Sequence, residues 1–423
     1  MDTYFKEAIE LDKKDKLSHF KNHFVNDEKV IYLDGNSLGK LPKKTIEVTT
    51  DLVQNQWGNR LIRSWNENWM DLSSKLSKKI AVLVGAQPDE IFIGDSTSLN
   101  LYKLVFAALK ATKDKFEVVS DNLNFPTDLY VLQGMIENHF NKHTLKLLNT
   151  KDGLTIDNDT LQNTISAKTA LITLSYVTYK SSFKYNMKEV NELAHKNNSF
   201  IIWDLSHATG AVPVKLNESN ADMAVGCTYK YLNGGPGSPA FLYVKKELQE
   251  QLLNPIWSWF SHEKPFDFDL NYKASNSIQK FGIGTPSILS LAAIEPGLDI
   301  LLDAGITNVR AKSVQQSTFL LELIENELLP LGFTIASPIE AELRGSHISI
   351  QHTEGYRINR AMIAPKDDSK VIIPDFRPPN NIRLGIAPLY NSFTELCETV
   401  KRIKSIVLTK EYENFGLEKL EVT

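Results

Sequence analysis

Apolar positions along the chain follow two alternating rhythms. Short apolar runs of strand length fall at residues 30–33, 90–94, 116–119, 170–175, 200–203, 223–227 and 240–244. Between them, segments 69–84, 99–111, 126–139 and 187–195 repeat their apolar residues at helical spacing. Strands apolar along their whole length, separated by helices, predict an α/β domain with a mostly parallel or mixed sheet covered on both faces. Upstream, 3–25 reads as a helix with Phe5, Ile9, Leu11 and Phe20 on an irregular apolar face, and 41–58 as a second helix after Pro42. Downstream, 287–327 reads as a long helical stretch interrupted at Pro296 and Gly305. Strands near 333–336, 347–351, 371–374 and 382–386 and a last helix over 393–408 then predict a small α+β unit. The expected organisation is an N-terminal arm (1–45) beside the small domain, a large domain (46–295) and a small C-terminal domain (296–423).

Composition narrows the function classes. With 42% hydrophobic and 23% charged residues, the 423-residue chain is an ordinary globular protein. Its net charge of −4 gives no general attraction to nucleic acid or anionic membrane. Charges run through the first 20 residues, leaving no secretion signal, and no apolar run of about 18 residues predicts a membrane helix. Two cysteines, Cys227 and Cys397, exclude a disulfide scaffold and a four-cysteine zinc site, and suit the reducing cytoplasm. The histidines show no metal-binding spacing, so no metal is expected.

The densest chemistry lies between residues 201 and 237. Asp204 ends an apolar strand, and Lys230 follows 26 residues later between Tyr229 and Tyr231, ahead of the glycine run 234–237. Ligands of α/β sheets collect at the carboxyl ends of strands, so both side chains can face one crevice. The plainer alternative makes Asp204 a helix cap and Lys230 a solvated lysine. A desolvated lysine between aromatics becomes a nucleophilic amine able to form a Schiff base. Pyridoxal phosphate needs such a lysine, with an acidic group against its pyridinium nitrogen. Arg383 is a second candidate. The chain has nine arginines against 38 lysines, and this one begins an apolar strand after 378–381. Its planar fork suits a carboxylate, although a buried structural arginine fits the same pattern. The segment 35–40 is not a P-loop, because its glycines are one residue too close and Leu41 stands where Ser or Thr is required.

TYKYLNGGPGSPAFLYV at 228–244, with WDLSHATGAVPV at 203–214, resembles the kynureninases. The likeness continues through YLDGNSLGKLP (32–42), QWGNRLIRSWN (56–66), GAQPDEIFIGDSTSLNLYKL (85–104), NFPTDLY (124–130), SWFSH (258–262), FGIGTPSIL (281–289) and DFRPPNNIRLGIAPLYNSF (375–393), in family order. The resemblance implies the aspartate-aminotransferase fold (fold type I) and pyridoxal 5'-phosphate. It implies hydrolysis of L-kynurenine to anthranilate and L-alanine in tryptophan breakdown, with 3-hydroxy-L-kynurenine as a second candidate substrate and NAD biosynthesis as a further context. It also implies a homodimer with its active site at the subunit interface.

By the same resemblance, Lys230 matches the Schiff-base lysine and Asp204 the carboxylate on the ring nitrogen. His207 matches a neighbour of the cofactor, Phe125 the aromatic stacked on its ring, and Asp128 a second carboxylate beside it. Thr97 and Ser98 match the phosphate turn, with Ser175 and Tyr229 as further phosphate-side hydroxyls. Trp259 and Thr285 match positions reaching the phosphate from the partner subunit. Arg383 matches the holder of the substrate carboxylate, with Ser37 as a further substrate contact, and Tyr229 is the expected acid–base at the substrate carbonyl. Trp65 fits either an aromatic substrate pocket or the core. The chain departs from the family pattern at Ser182, Ser258 and Ser261, where many members carry glycine; position 285 is Thr where some carry Asn. Within the superfamily, a desulfurase-like lyase or an aminotransferase is the alternative activity. Cys227, expected in a strand, and Cys397, expected in the last helix, lack the exposed loop setting a desulfurase cysteine needs.

Overall fold

The computed structural model describes residues 1–418. Its centre is a seven-stranded sheet in the order Ile91–Ile93, Phe241–Val244, Met223–Gly226, Phe200–Asp204, Thr169–Ser175, Glu117–Asp121, Thr144–Leu148. Phe241–Val244 runs antiparallel to both neighbours, and the other paired strands are parallel. Alternation of side chains feeds two apolar layers. Ile201 and Trp203 join Ile172 and Leu174 on one face, while Ile202 joins Leu171, Met223 and Val225 on the other. Both faces are covered, which is why these strands are apolar throughout. All five parallel neighbours bring their carboxyl ends to one edge, where Asp204 stands.

Helix Pro126–His139 begins with proline at its first position, after extended Phe125. Helix Phe393–Leu408 begins with a reciprocal Ser392–Glu395 capping box. A third apolar cluster combines the helices Ile306–Glu327 and Phe393–Leu408 with a four-stranded antiparallel sheet ordered Asp375–Arg377, Asn381–Gly385, His347–Gln351, Thr334–Ile335. The N-terminal arm adds Ala8, Ile31 and Leu33 to this cluster. Asp12 caps the last helix, accepting the amides of Phe393 at 2.7 Å and Thr394 at 2.9 Å.

Several elements differ from expectation. The helix expected over 3–25 ends at Lys14, and a 3-10 turn, Ser18–His23, follows. Asp15 breaks it by drawing the Leu17 amide onto its own carboxylate at 2.8 Å and pairing with Lys312 at 2.6 Å. Pro296 does not interrupt its helix, which runs Ile288–Ala304; the buried stripe Leu291, Ile294, Leu298 and Leu301 holds the helix across the missing amide. Gly305 does end it, at φ +74°. The second helix is α-helical only over Lys43–Asp51 and widens into π turns over Leu52–Arg60. Thr144–Leu148, Asn158–Thr164, Gly355–Ile363 and Asp375–Arg377 were not expected. Thr144–Leu148 is an edge strand with Thr144, Lys146 and Leu147 exposed, so it lacks a continuous apolar signal.

Candidate active site

A cavity of about 300 Å³ opens at the carboxyl edge of the large sheet. Its lining includes Ser37, Thr97, Ser98, Phe125, Asp128, Asp204, His207, Tyr229, Lys230 and Arg383, so ten expected site residues converge on one space. Asp204 ends its strand at the cavity. The Ser206 amide (2.9 Å) and hydroxyl (2.5 Å) both donate to its Oδ1. Burial raises its pKa against these bonds and the Lys230 charge.

Lys230 Nζ lies 3.1 Å from His207 Nε2 and 5.9 Å from the ring centroids of both Phe125 and Tyr229. Burial pushes its ammonium pKa down. His207 is held neutral by burial and by the Lys230 charge. Asp128, in the first turn of its helix, has a buried Oδ2 without a hydrogen-bond partner. Burial, then the charge of Asp204, pushes its pKa well up. Thr97 and Ser98 open the helix Thr97–Ala111 behind the Ser96 cap, where the first amides have no partner within the helix.

The substrate side is assembled by two close approaches. Gly39 donates its amide to the Tyr229 carbonyl at 2.8 Å, and a Cβ there would lie 2.3 Å from the Lys230 carbonyl oxygen. Gly385 packs against Asn36, whose Oδ1 a Cβ would meet at 1.7 Å. These contacts strap the loop carrying Ser37 over the Lys230 segment. Arg383 faces Asp375 in the hairpin register and forms a buried ion pair with it. It also donates to the Tyr179 carbonyl at 2.6 Å and to Ser37 Oγ at 3.0 Å.

Four expected residues lie elsewhere. Ser175 is buried, its hydroxyl donating to Asn124 Oδ1 at 2.6 Å, and Asn124 in turn accepts the Phe125 amide at 2.9 Å. Thr285 lines a separate cavity of about 350 Å³ with Phe260 and His262. Trp259 packs on Phe260, with centroids 4.3 Å apart, and Trp65 on Trp69 at 5.5 Å. Sequence reasoning missed Asn36, Thr127, Ser206 and Arg377 in the cavity wall. Arg377 pairs with Asp375 at 3.1 Å; its signal was the alternation of Asp375, Arg377 and Arg383 along one hairpin.

The glycine departures have different consequences. Ser182 is buried at φ +67°, and its hydroxyl is unpartnered. Ser258 is extended, and its hydroxyl accepts the Gly284 amide at 2.8 Å. Ser261 bonds back to Ser258. Cys227 lies just beyond its expected strand, which ends at Gly226, and Cys397 lies in the last helix; both are buried.

The chain is similar to known proteins along nearly its whole length. It is 38% identical to a kynureninase of Pseudomonas fluorescens over 411 residues, covering 96% of each chain. It is 35% identical to a kynureninase of Burkholderia mallei over 412 residues, again 96% of each. Residues 309–403 match a family profile described as kynureninase C-terminal domain. Among solved structures, the apo cysteine desulfurase of Thermococcus onnurineus NA1 superposes with TM-score 0.80 at 17% identity, over 92% of this chain and 98% of that one. Escherichia coli CsdA, another cysteine desulfurase, gives 0.77 at 16%, over 93% and 99%. These superpositions establish the fold, the arrangement of fold type I enzymes.

Proposed function

The chain belongs to the kynureninase family, and from this premise we propose how its cavity divides the work of hydrolysing L-kynurenine to anthranilate and L-alanine, a step of tryptophan catabolism. Pyridoxal phosphate is the cofactor; when bound, it supplies an electron sink for negative charge developing on the substrate carbons. The residues present fit it. Lys230 offers an amine of lowered pKa, Asp204 a buried carboxyl, Phe125 a ring face, Asp128 an orphaned oxygen, and Thr97 and Ser98 a helix terminus for the phosphate. The observation that carries the reading is their convergence with Arg383 on one cavity.

Lys230 Nζ would hold the cofactor, and its amine removes and returns the proton at the substrate Cα. Its lowered pKa makes the amine easier to free of its proton for that task. Neutral His207 accepts a hydrogen bond from it without adding charge. Asp204 keeps Oδ2 for the ring nitrogen, because both Ser206 bonds go to Oδ1. The neighbouring Cys227 and burial raise the Tyr229 pKa, which suits a phenol that donates to the substrate carbonyl as water adds there. Arg383 and Ser37 bind the substrate carboxylate. Ser175 acts through Asn124 on the Phe125 amide.

The protein works as a homodimer in which Trp259 and Thr285 serve the partner's cavity; a pocket role for Trp65 needs the same second copy. Support comes from an exposed aromatic cluster in which Trp259, Phe266 and Phe268 pack on one another with centroids 5.9–6.5 Å apart, an apolar patch that a second copy would cover. We place the domain division at 1–45, 46–295 and 296–423, of which residues 419–423 lie outside the described residues. The separate C-terminal cluster supports a small domain from Phe319 onward, whereas helix Ile288–Ala304 crosses the 295/296 boundary and packs into the large core. Cytoplasmic residence rests on the two free, buried cysteines, and a contribution to NAD biosynthesis rests on turnover of the 3-hydroxylated substrate. No helix among the described residues is long and apolar enough to cross a membrane. Among the same residues, no group of His, Cys, Asp and Glu side chains could hold a metal.

Product stoichiometry tests the reaction. Without any added oxo acid, loaded protein should form alanine and anthranilate in equal amounts from L-kynurenine. Turnover that needs pyruvate would point instead to an aminotransferase.

A further inference from the structure

Lys103 has no exposed surface. Its ammonium donates to Asp95 Oδ2 at 2.7 Å and to the Phe281 carbonyl at 2.7 Å, and stands 5.3 Å from the Phe92 ring centroid. A buried ammonium is costly and persists where its partners are fixed in place. Asp95, the partner, has φ +57°, a left-handed conformation uncommon for a non-glycine residue. Asp95 immediately precedes Ser96, the cap of the helix that opens with Thr97 and Ser98. Backbone bonds secure the turn from below: the Ala240 amide reaches the Asp95 carbonyl at 2.8 Å, and the Gly94 amide reaches the Ala240 carbonyl at 2.9 Å. Asn100 Nδ2 adds a bond to the Gly94 carbonyl at 2.9 Å. Lys103 secures the same turn through the Asp95 side chain.

We propose that Lys103 is a positioning residue for the phosphate end of the cofactor: by clamping Asp95 in its left-handed backbone, it aims the free amides of Thr97 and Ser98. Lys103 is neutralised by Asp95 and lines no part of the cavity, so it acts through the turn rather than as a counter-ion. The inference rests on the reading that the phosphate lies at Thr97 and Ser98, and deepens it.

The test compares two ligands that differ by the phosphate. Full-length, cofactor-free protein is titrated with pyridoxal phosphate and with pyridoxal, following protein fluorescence and ligand absorbance. Lys103→Met should weaken pyridoxal phosphate binding about tenfold or more while leaving pyridoxal within about twofold. Equal loss for both ligands, or no loss for either, overturns the inference. Asp95→Asn keeps an acceptor oxygen and carries the same test, with a smaller selective loss, should Lys103→Met fail to fold. Thr97→Pro separates the inference from its premise, because proline at the first helical position removes one amide donor and the hydroxyl without breaking the helix. A selective loss in Thr97→Pro without one in Lys103→Met sinks the inference alone. No selective loss in either sinks the phosphate reading, and the inference with it.

Discussion

Ser182 stands where the kynureninase pattern has glycine, yet the backbone keeps the glycine conformation, φ +67°. Its amide bonds to the Thr178 carbonyl at 3.1 Å, and its carbonyl takes the Gly345 amide at 2.8 Å, so the turn is locked from both sides. The same turn presents the Tyr179 carbonyl to Arg383. Left-handed backbone costs an L-residue about 1–2 kcal/mol, and a buried hydroxyl left unbonded costs about 1–3 kcal/mol. Glycine returns roughly 0.5–1 kcal/mol through its freer unfolded chain. Ser182→Gly should therefore stabilise the protein by about 2 kcal/mol. In urea this is a midpoint rise of roughly half a molar at unchanged slope. Ser181→Gly is the contrast. Its hydroxyl donates to the Leu154 carbonyl at 2.7 Å and lies 2.8 Å from Thr178 Oγ1, so its loss should lower the midpoint. An unchanged or lowered midpoint for Ser182→Gly would refute the strain argument.

Lys230→Ala should abolish turnover, with retained far-ultraviolet circular dichroism and cofactor lost on dialysis; normal turnover would remove Lys230 from the mechanism. Arg383→Lys gives up the fork shared by Asp375, Tyr179 and Ser37. At about 1.5–3 kcal/mol per charged hydrogen bond, kcat/KM should fall roughly 10- to 100-fold, and unaltered steady-state kinetics would contradict the assignment. Burial, then Asp375, raises the Asp34 carboxyl from 3.8 to about 7. A carboxyl with a raised folded value binds its proton more tightly when folded, so stability is fullest below the unfolded value and is lost as pH rises toward about 7. Asp34→Asn should gain on the parent by up to about 1.4 kcal/mol per pH unit across that window; parallel urea-stability profiles would contradict this.

The large sheet was legible because burial on both faces leaves continuous apolar runs, as in Thr169–Ser175. Edge strand Thr144–Leu148 was not, because its half-exposed side chains carry no such run. Asp204 and Lys230 stood out through strand ends and flanking aromatics, and the resemblance supplied most of the other lining residues. Arg377 and Ser206 were hidden because each enters the cavity through a neighbour, Asp375 for one and Asp204 for the other. Asp15 broke its helix through a local bond to the Leu17 amide and through a tertiary partner, Lys312, that lies 297 residues away and that no local pattern reveals.

Anthranilate fluorescence on mixing cofactor-loaded protein with L-kynurenine, beside a parallel run with 3-hydroxy-L-kynurenine, tests the account most directly. Prompt anthranilate release, absent in Lys230→Ala, is the predicted result. A protein that retains its cofactor yet forms no product from either substrate would contradict the assignment of kynurenine hydrolysis to this cavity.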